Sequence, residues 1–344
     1  MIVPLSMLFL LVLVALRPRH CLDAEAALSR EQSRAIKGIF VATVFFSHFC
    51  SYVSFGHWFD KPLPVYCHWV GQIMVVPFLF YSGFGIFESA KKKGSSYVGT
   101  FPRKRILKTL LHFDMAVLLF VAFDAFFAPG VLSGSKIVAS LVAWDSVGNS
   151  NWFIFAILCA YVFCWAGLAL FKNDRFRAWL ATAGLCILYI VVVSRFKAAW
   201  WWNTILAFPL GCAMSLWRNN LSFAERPLPW CACLAFGVAG LALGKSGWIP
   251  SSSIGSQIEL FSMSILLVIS SMGLAIESKP LSWLGDNVFG IYILQRLPME
   301  FGKILGWNDS HVHLYFLFCL ATTLLLAVLF GKATRFVDSK WFQT

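Results

Sequence analysis

Residues 34–54 read RAIKGIFVATVFFSHFCSYVS, and this stretch decides the fold. From Ile36 onward it is apolar and long enough to cross a bilayer, whose hydrocarbon core takes about 20 helical residues. Arg34 and Lys37 mark its beginning, and one ionisable group, His48, stands deep inside it. A group of that kind at that depth is costly, so it is a functional candidate by default.

The rest of the chain has the same texture. Of 344 residues, 59% are hydrophobic and 13% charged, and mean hydropathy is +0.74. A water-facing surface needs far more charge, which excludes a soluble enzyme. Disorder needs low hydrophobicity, and no repeat period or dense cysteine framework is present. The reading is an all-α, polytopic membrane helix bundle of about ten transmembrane helices. Candidate spans cover 36–54, 65–88, 109–128, 152–171, 178–194, 199–217, 228–244, 255–276, 281–301 and 313–331. Residues 1–29 form an apolar segment with a linker, 30–332 the transmembrane unit and 333–344 a tail.

Net charge is +12. In a soluble chain that excess would point to nucleic acid; here it is topological, because basic residues stay on the cytoplasmic side. With the first core span leaving the cytoplasm, 21 of the 28 Lys and Arg residues fall inside and 7 fall outside or within spans. Both ends of the core are then cytoplasmic, and Trp200–Trp202 lie at the outer interface. Residues 1–16 are apolar, but Arg17 and Arg19 follow the run, the wrong polarity for a cleaved signal peptide. An extra helix with its N-terminus outside, an interfacial segment and an over-extended start all remain open. Cys50 and Cys67 come close at one membrane face, and spacing alone leaves a disulfide there open. Cys231 and Cys233 point to different helix faces, so no metal site is read.

Lys37 and His48 are 11 residues apart, within about 20° of whole helical turns. They share one face, about 16 Å apart along the axis. Lys37 is thus expected at the cytoplasmic rim and His48 near the midplane, with Arg34 on nearly the same face. Arg105, Lys108 and His112 form a second stripe, thickened by Arg103 and Lys104. Basic clusters at two helix ends can hold an anionic group, and a neutral His deeper in can act as general base. The plain readings stand beside these: a topology signal or lipid contact for the basic clusters, and a structural hydrogen bond for the histidine. Arg296 and Glu300 are spaced to pair with each other. Asp114 or Asp124 can orient a histidine; Glu259 and Asp145 are placed at the outer rim, and His57, His68, His311 and His313 in solvated outer positions.

Arg34-Ala35-Ile36-Lys37-Gly38 followed by His48 resembles the first helix of the membrane-bound acyltransferase 3 family, which carries a basic residue, ten residues, then a histidine. Residues 76–85, closing in Ser82-Gly83, are similar to its aromatic second signature, and Arg105-Ile106-Leu107-Lys108 to its basic-x-x-basic element. Asn151-Trp152-Phe153, 207–211 and 290–295 resemble later landmarks, in family order. The flavour is closest to the fucose 4-O-acetylase-like branch. Gln295 stands where the family often has His, and Pro77 where it often has Asp.

The resemblance implies acyl transfer from acetyl-CoA to a hydroxyl, without a metal. Lys37, Arg34, Arg103, Arg105 and Lys108 would hold the nucleotide end of the donor, His48 would be the base, and Ser82 a catalytic oxyanion donor or nucleophile. Trp152, Tyr292 and Gln295 would contact the acceptor, an exported or lipid-linked carbohydrate such as an exopolysaccharide or O-antigen. The bacterial inner membrane is the implied address. A transporter or flippase for an anionic glycan or lipid is the competing reading, although no inverted repeat is visible. A non-catalytic scaffold would leave the Lys37/His48 alignment unexplained.

Overall fold

Lipid offers a backbone no hydrogen bonds, so an apolar chain satisfies its own as helices. The computed structural model describes residues 1–127, 129–130, 132–172, 174–249 and 254–342. Its main helices are α1 (Ile2–Ala15), α2 (Arg30–Cys50), α3 (Val76–Phe101), α4 (Lys108–Phe127), α5 (Trp152–Leu170), α6 (Arg175–Val193) and α7 (Ala207–Trp217). They continue as α8 (Pro227–Lys245), α9 (Ser256–Gly273), α10 (Lys279–Asp286), α11 (Val288–Leu294), α12 (Arg296–Ile304) and α13 (Val312–Trp341). Among the described residues the only strands are β1 (Leu16–Pro18) and β2 (Leu274–Ile276), one antiparallel pair.

Six helical stretches are long and apolar enough to cross a membrane: Trp58–Phe127, Trp152–Leu170, Arg175–Val193, Pro227–Lys245, Ser256–Gly273 and Val312–Trp341. The first contains two expected spans and is interrupted. Gly71, with φ of 52°, ends the helix Pro62–Val70, and a tight turn leads into α3. The expected span 65–88 is therefore two helices. Gly94, with φ of 58°, breaks α3 again before the π-helical segment Pro102–Leu107. The expected span 281–301 is divided among α10, α11 and α12, and α7 fills only 207–217 of the expected 199–217. At the C-terminus α13 runs without interruption from Val312 through Trp341.

α2 lies at the centre. The Ser29 hydroxyl caps it by accepting from Gln32 N. The Gln32 side chain donates to Ser271 Oγ and Leu274 O and accepts from Ile276 N, tying α2 to α9 and β2. Two crossings are close enough to exclude a side chain. A Cβ on Gly38 would lie 1.9 Å from Leu281 O, and one on Gly285 1.9 Å from Arg34 O, locking α2 on α10. On the other side, Gly211 meets Phe80 O and Gly83 meets Phe208 O, locking α3 on α7. Small residues at such contacts are what helix packing in lipid uses.

α1 joins the two ends of the bundle. Its Met1 amino group contacts Asp60, while β1 pairs with β2 at the end that carries Lys37. Residues Ile2–Ala15 are helical. A second aromatic core fixes α2 to α12 and α13. The Phe49 ring lies 5.1 Å from Phe316 and 5.0 Å from Tyr315, whose hydroxyl donates to Met299 O.

Candidate active site

His48 sits deep in the bundle, surrounded by it on all sides. It keeps some accessible ring surface, so it faces an internal space. Its Nδ1 is enclosed and has no hydrogen-bond partner. Among the described residues no carboxylate bonds to it; Asp114 and Asp124, the acids weighed as its orienting partner, do not reach it. The ring instead lies 6.2 Å from Tyr292, which is 5.4 Å from Phe153, itself 6.0 Å from Phe78. Three helices (α2, α11 and α5) and the start of α3 thus meet around the imidazole.

This centre is rich in polar atoms without partners. They include the Tyr292 hydroxyl, Gln295 Oε1, Arg296 Nε and Ser150 Oγ. Tyr292 and Gln295 are buried, and Gln295 Nε2 donates to Tyr292 O. Ser150 is delivered by the loop before α5 and lies beside the Tyr292 hydroxyl. That loop is held in a strained form: Ala143 has a φ of 59°, and Asn151 Nδ2 clamps Ala143 O and Asp145 O. Buried polar groups are normally paired, so several orphans around one space mark a site for a polar ligand. Trp152 packs edge-on against Phe153 at the mouth of this region.

The Arg296–Glu300 pair expected from spacing does not form. Glu300 accepts from the Tyr52 hydroxyl at 2.6 Å, and among the described residues no acid pairs with Arg296. Glu259, placed at the outer rim by the sequence, lies in the first turn of α9, buried and paired with Lys245 at 2.8 Å. The four histidines assigned to solvated positions are exposed.

At the Lys37 end, the basic residues singled out in the sequence line two separate cavities among the described residues. A cavity of about 390 Å³ is lined by Lys37, Arg30, Lys92, Arg218, Tyr81 and Glu88. Glu88 receives Lys91, Arg218 and the Ser215 hydroxyl. A larger cavity of about 770 Å³ is lined by Lys93, Lys104, Arg105, Lys108, His112 and Phe289, among others. The basic residues grouped by sequence as one donor site are therefore divided. Arg34 pairs with Asp286, which holds its guanidinium pKa above the usual value. Arg103 donates to Trp341 O at 2.6 Å, and Lys108 and His112 share Asp338.

Ser82 faces elsewhere. Its hydroxyl is 3.4 Å from that of Tyr161, and no bond or ring contact joins it to His48 among the described residues. Cys50 and Cys67 do meet, with sulfurs 3.9 Å apart, and both are free thiols. Among the described residues no three His, Cys, Asp or Glu side chains gather to hold a metal.

A family model described as an acyltransferase domain, that of the acyltransferase 3 family, matches residues 31–332. The chain belongs to that family. It is a membrane acyltransferase, and the matched region runs from α2 into α13, taking in the imidazole, the polar centre and most of the lining of both cavities. Neither a curated protein nor a solved structure matches the chain.

Three residues that the structure brings to the candidate site or its basic cavity were not singled out for it in the sequence: Arg296, Ser150 and Asp338. For Arg296 an i, i+4 acid offered a plain explanation. Ser150 had its signal in the adjoining Asn151-Trp152 landmark. Asp338 had none, since its partners lie more than 200 residues away in sequence.

Proposed function

We propose that the protein is an integral membrane O-acetyltransferase that moves an acetyl group from acetyl-CoA to a hydroxyl of a cell-surface or lipid-linked carbohydrate. The observation that carries this reading is His48: an imidazole deep in the bundle, free of any acid, facing an internal space among unpaired polar groups. The Lys37 end is taken as cytoplasmic, in line with the charge distribution. The nucleotide end of the donor enters the 770 Å³ cavity, whose size lies within the range of cofactor pockets. Arg105, Lys93 and Lys104 line it as cations for the phosphates. Phe289 lines the same cavity and lies one helical turn below Tyr292, which marks the way from cavity to imidazole.

His48 takes the proton of the acceptor hydroxyl as that oxygen attacks the thioester carbonyl; it then returns the proton to the departing thiolate. The acceptor enters from the opposite end, past Trp152, and hydrogen-bonds to Tyr292 and Gln295. A sugar fits orphaned hydroxyl and amide groups, and the likeness to the fucose 4-O-acetylase-like branch agrees with it. Purified protein supplied with labelled acetyl-CoA and candidate glycans tests this, with His48→Ala alongside. Acetylated glycan from wild type alone is expected. Full activity in His48→Ala removes the mechanism, and glycan moved across vesicles without acetylation makes the protein a transporter.

A further inference from the structure

We infer that Arg296 is the group that stabilises the negative charge on the acyl oxygen during transfer. This rests on the acyl-transfer reading above. Arg296 begins α12, one turn beyond Tyr292, and its charge acts on both His48 and Tyr292. Its Nε is enclosed and unpartnered. The acid that could neutralise it, Glu300, is engaged by Tyr52, and no other acid pairs with it among the described residues. A cation held this way is expensive unless an anion joins it.

The position makes the cost informative. A base that gains a proton becomes a cation, and a second cation beside it opposes that step. Arg296 alone therefore works against His48. The opposition turns into assistance when negative charge develops between the two, as it does on the carbonyl oxygen. As the acceptor oxygen bonds to the thioester carbon, the carbonyl π pair moves onto its oxygen and the hydroxyl proton moves to His48. An anion then lies beside two cations. When the C–S bond breaks, the pair returns to the carbonyl and the imidazolium proton goes to the thiolate. An interaction that is unfavourable before reaction and favourable at the tetrahedral stage is what accelerates chemistry. Ser82, the oxyanion donor implied by the family likeness, faces Tyr161 instead.

The test measures acetyl transfer from acetyl-CoA to methyl glucoside, methyl fucoside and methyl glucuronide by wild type, Arg296→Gln, Arg296→Lys and His48→Ala. Arg296→Gln is expected to lower kcat about 10²–10³-fold on neutral and acidic sugars alike, with KM for acetyl-CoA within about threefold and partial recovery in Arg296→Lys. If Arg296→Gln does not fold, Arg296→Met, of similar length, carries the test. A wild-type kcat in the uncharged variants overturns the inference. So does a loss confined to KM for the glucuronide, which would make Arg296 a recognition site for a fixed acidic group on the acceptor. Wild type that transfers acetyl to none of these sugars removes the parent reading too; transfer that survives loss of the guanidinium removes only the role of Arg296.

Discussion

The two cavities at the Lys37 end look alike in sequence and differ in their charge balance. Each is announced by a basic stripe at a helix end. Around Lys37, Glu88 brings a carboxylate that engages Lys91, Arg218 and Ser215. Around Arg105, Asp338 comes from the far end of the chain and occupies Lys108 and His112. The cavity with the larger excess of cations is also the larger, about 770 against 390 Å³. A row of Lys and Arg is thus no measure of anion affinity; what matters is how many of them already have an acid.

Lys37 in one cavity shares a helix with His48, and Phe289 in the other lies one turn from Tyr292 beside it, so the largest effect is expected to be common to them. His48→Ala is expected to lower kcat by about 10²–10⁴-fold, the usual contribution of a general base, while acetyl-CoA still binds. Equilibrium binding of labelled acetyl-CoA to the variant checks the second half. Loss of binding together with activity would mean that His48 is structural.

The next effect separates the cavities. Arg105→Ala removes a charge-assisted contact worth about 1.5–3 kcal/mol, so KM for acetyl-CoA rises about ten- to a hundredfold. Lys37→Ala leaves that KM within about threefold and acts on kcat, because Lys37 shares its helix face with His48. Equal rises in KM would erase the distinction and return both stripes to one donor site.

The fold was readable to the extent that it depends on apolar runs. Long, uninterrupted ones such as 152–171, 178–194 and 228–244 reappear as α5, α6 and α8 almost unchanged. The expected spans 65–88 and 281–301 are ones the chain interrupts. Gly71 breaks the first, and the second is cut into α10, α11 and α12, which sets Tyr292 and Arg296 at the ends of short helices. Hydropathy sees composition and is blind to such breaks. The Lys37/His48 alignment was legible because both lie on one continuous helix, where 3.6 residues per turn fixes their relation. The partition of the cations was not, because it depends on Asp286, Glu88 and Asp338, whose partners come from other helices.

A packing change sharpens the comparison without touching a charge. Gly211→Ala puts a Cβ 1.9 Å from Phe80 O at the α3–α7 crossing, which must open. Overpacking of this kind costs about 1–3 kcal/mol, so the unfolding midpoint falls. The same crossing carries the Glu88–Ser215 bond. The Lys37 cavity should loosen, whereas the Arg105 cavity, built from residues beyond the Gly94 break apart from Lys93, keeps its KM for acetyl-CoA. A variant with an unchanged midpoint would show that the crossing relaxes freely.

The smallest effect is expected from Asp338→Asn, and its sign is what matters. In the structure the Asp338 carboxylate lies 2.6 Å from Lys108 Nζ and 2.9 Å from His112 Nε2, at the edge of the larger cavity. Under the donor reading it competes with a phosphate for both basic groups. As a partly exposed ion pair it contributes little to folding, about 0–1 kcal/mol, so the variant should fold normally. Removing its charge frees two basic groups for the donor, and KM for acetyl-CoA is expected to fall about two- to fivefold, with kcat unchanged; ten millimolar steps of added salt should narrow the difference, since screening weakens the competing pair and the donor contact alike. A rise in KM would mean that Asp338 orients Lys108 and His112 towards the donor rather than competing with it. The larger cavity would then resemble the smaller one, with an acid built into its working arrangement.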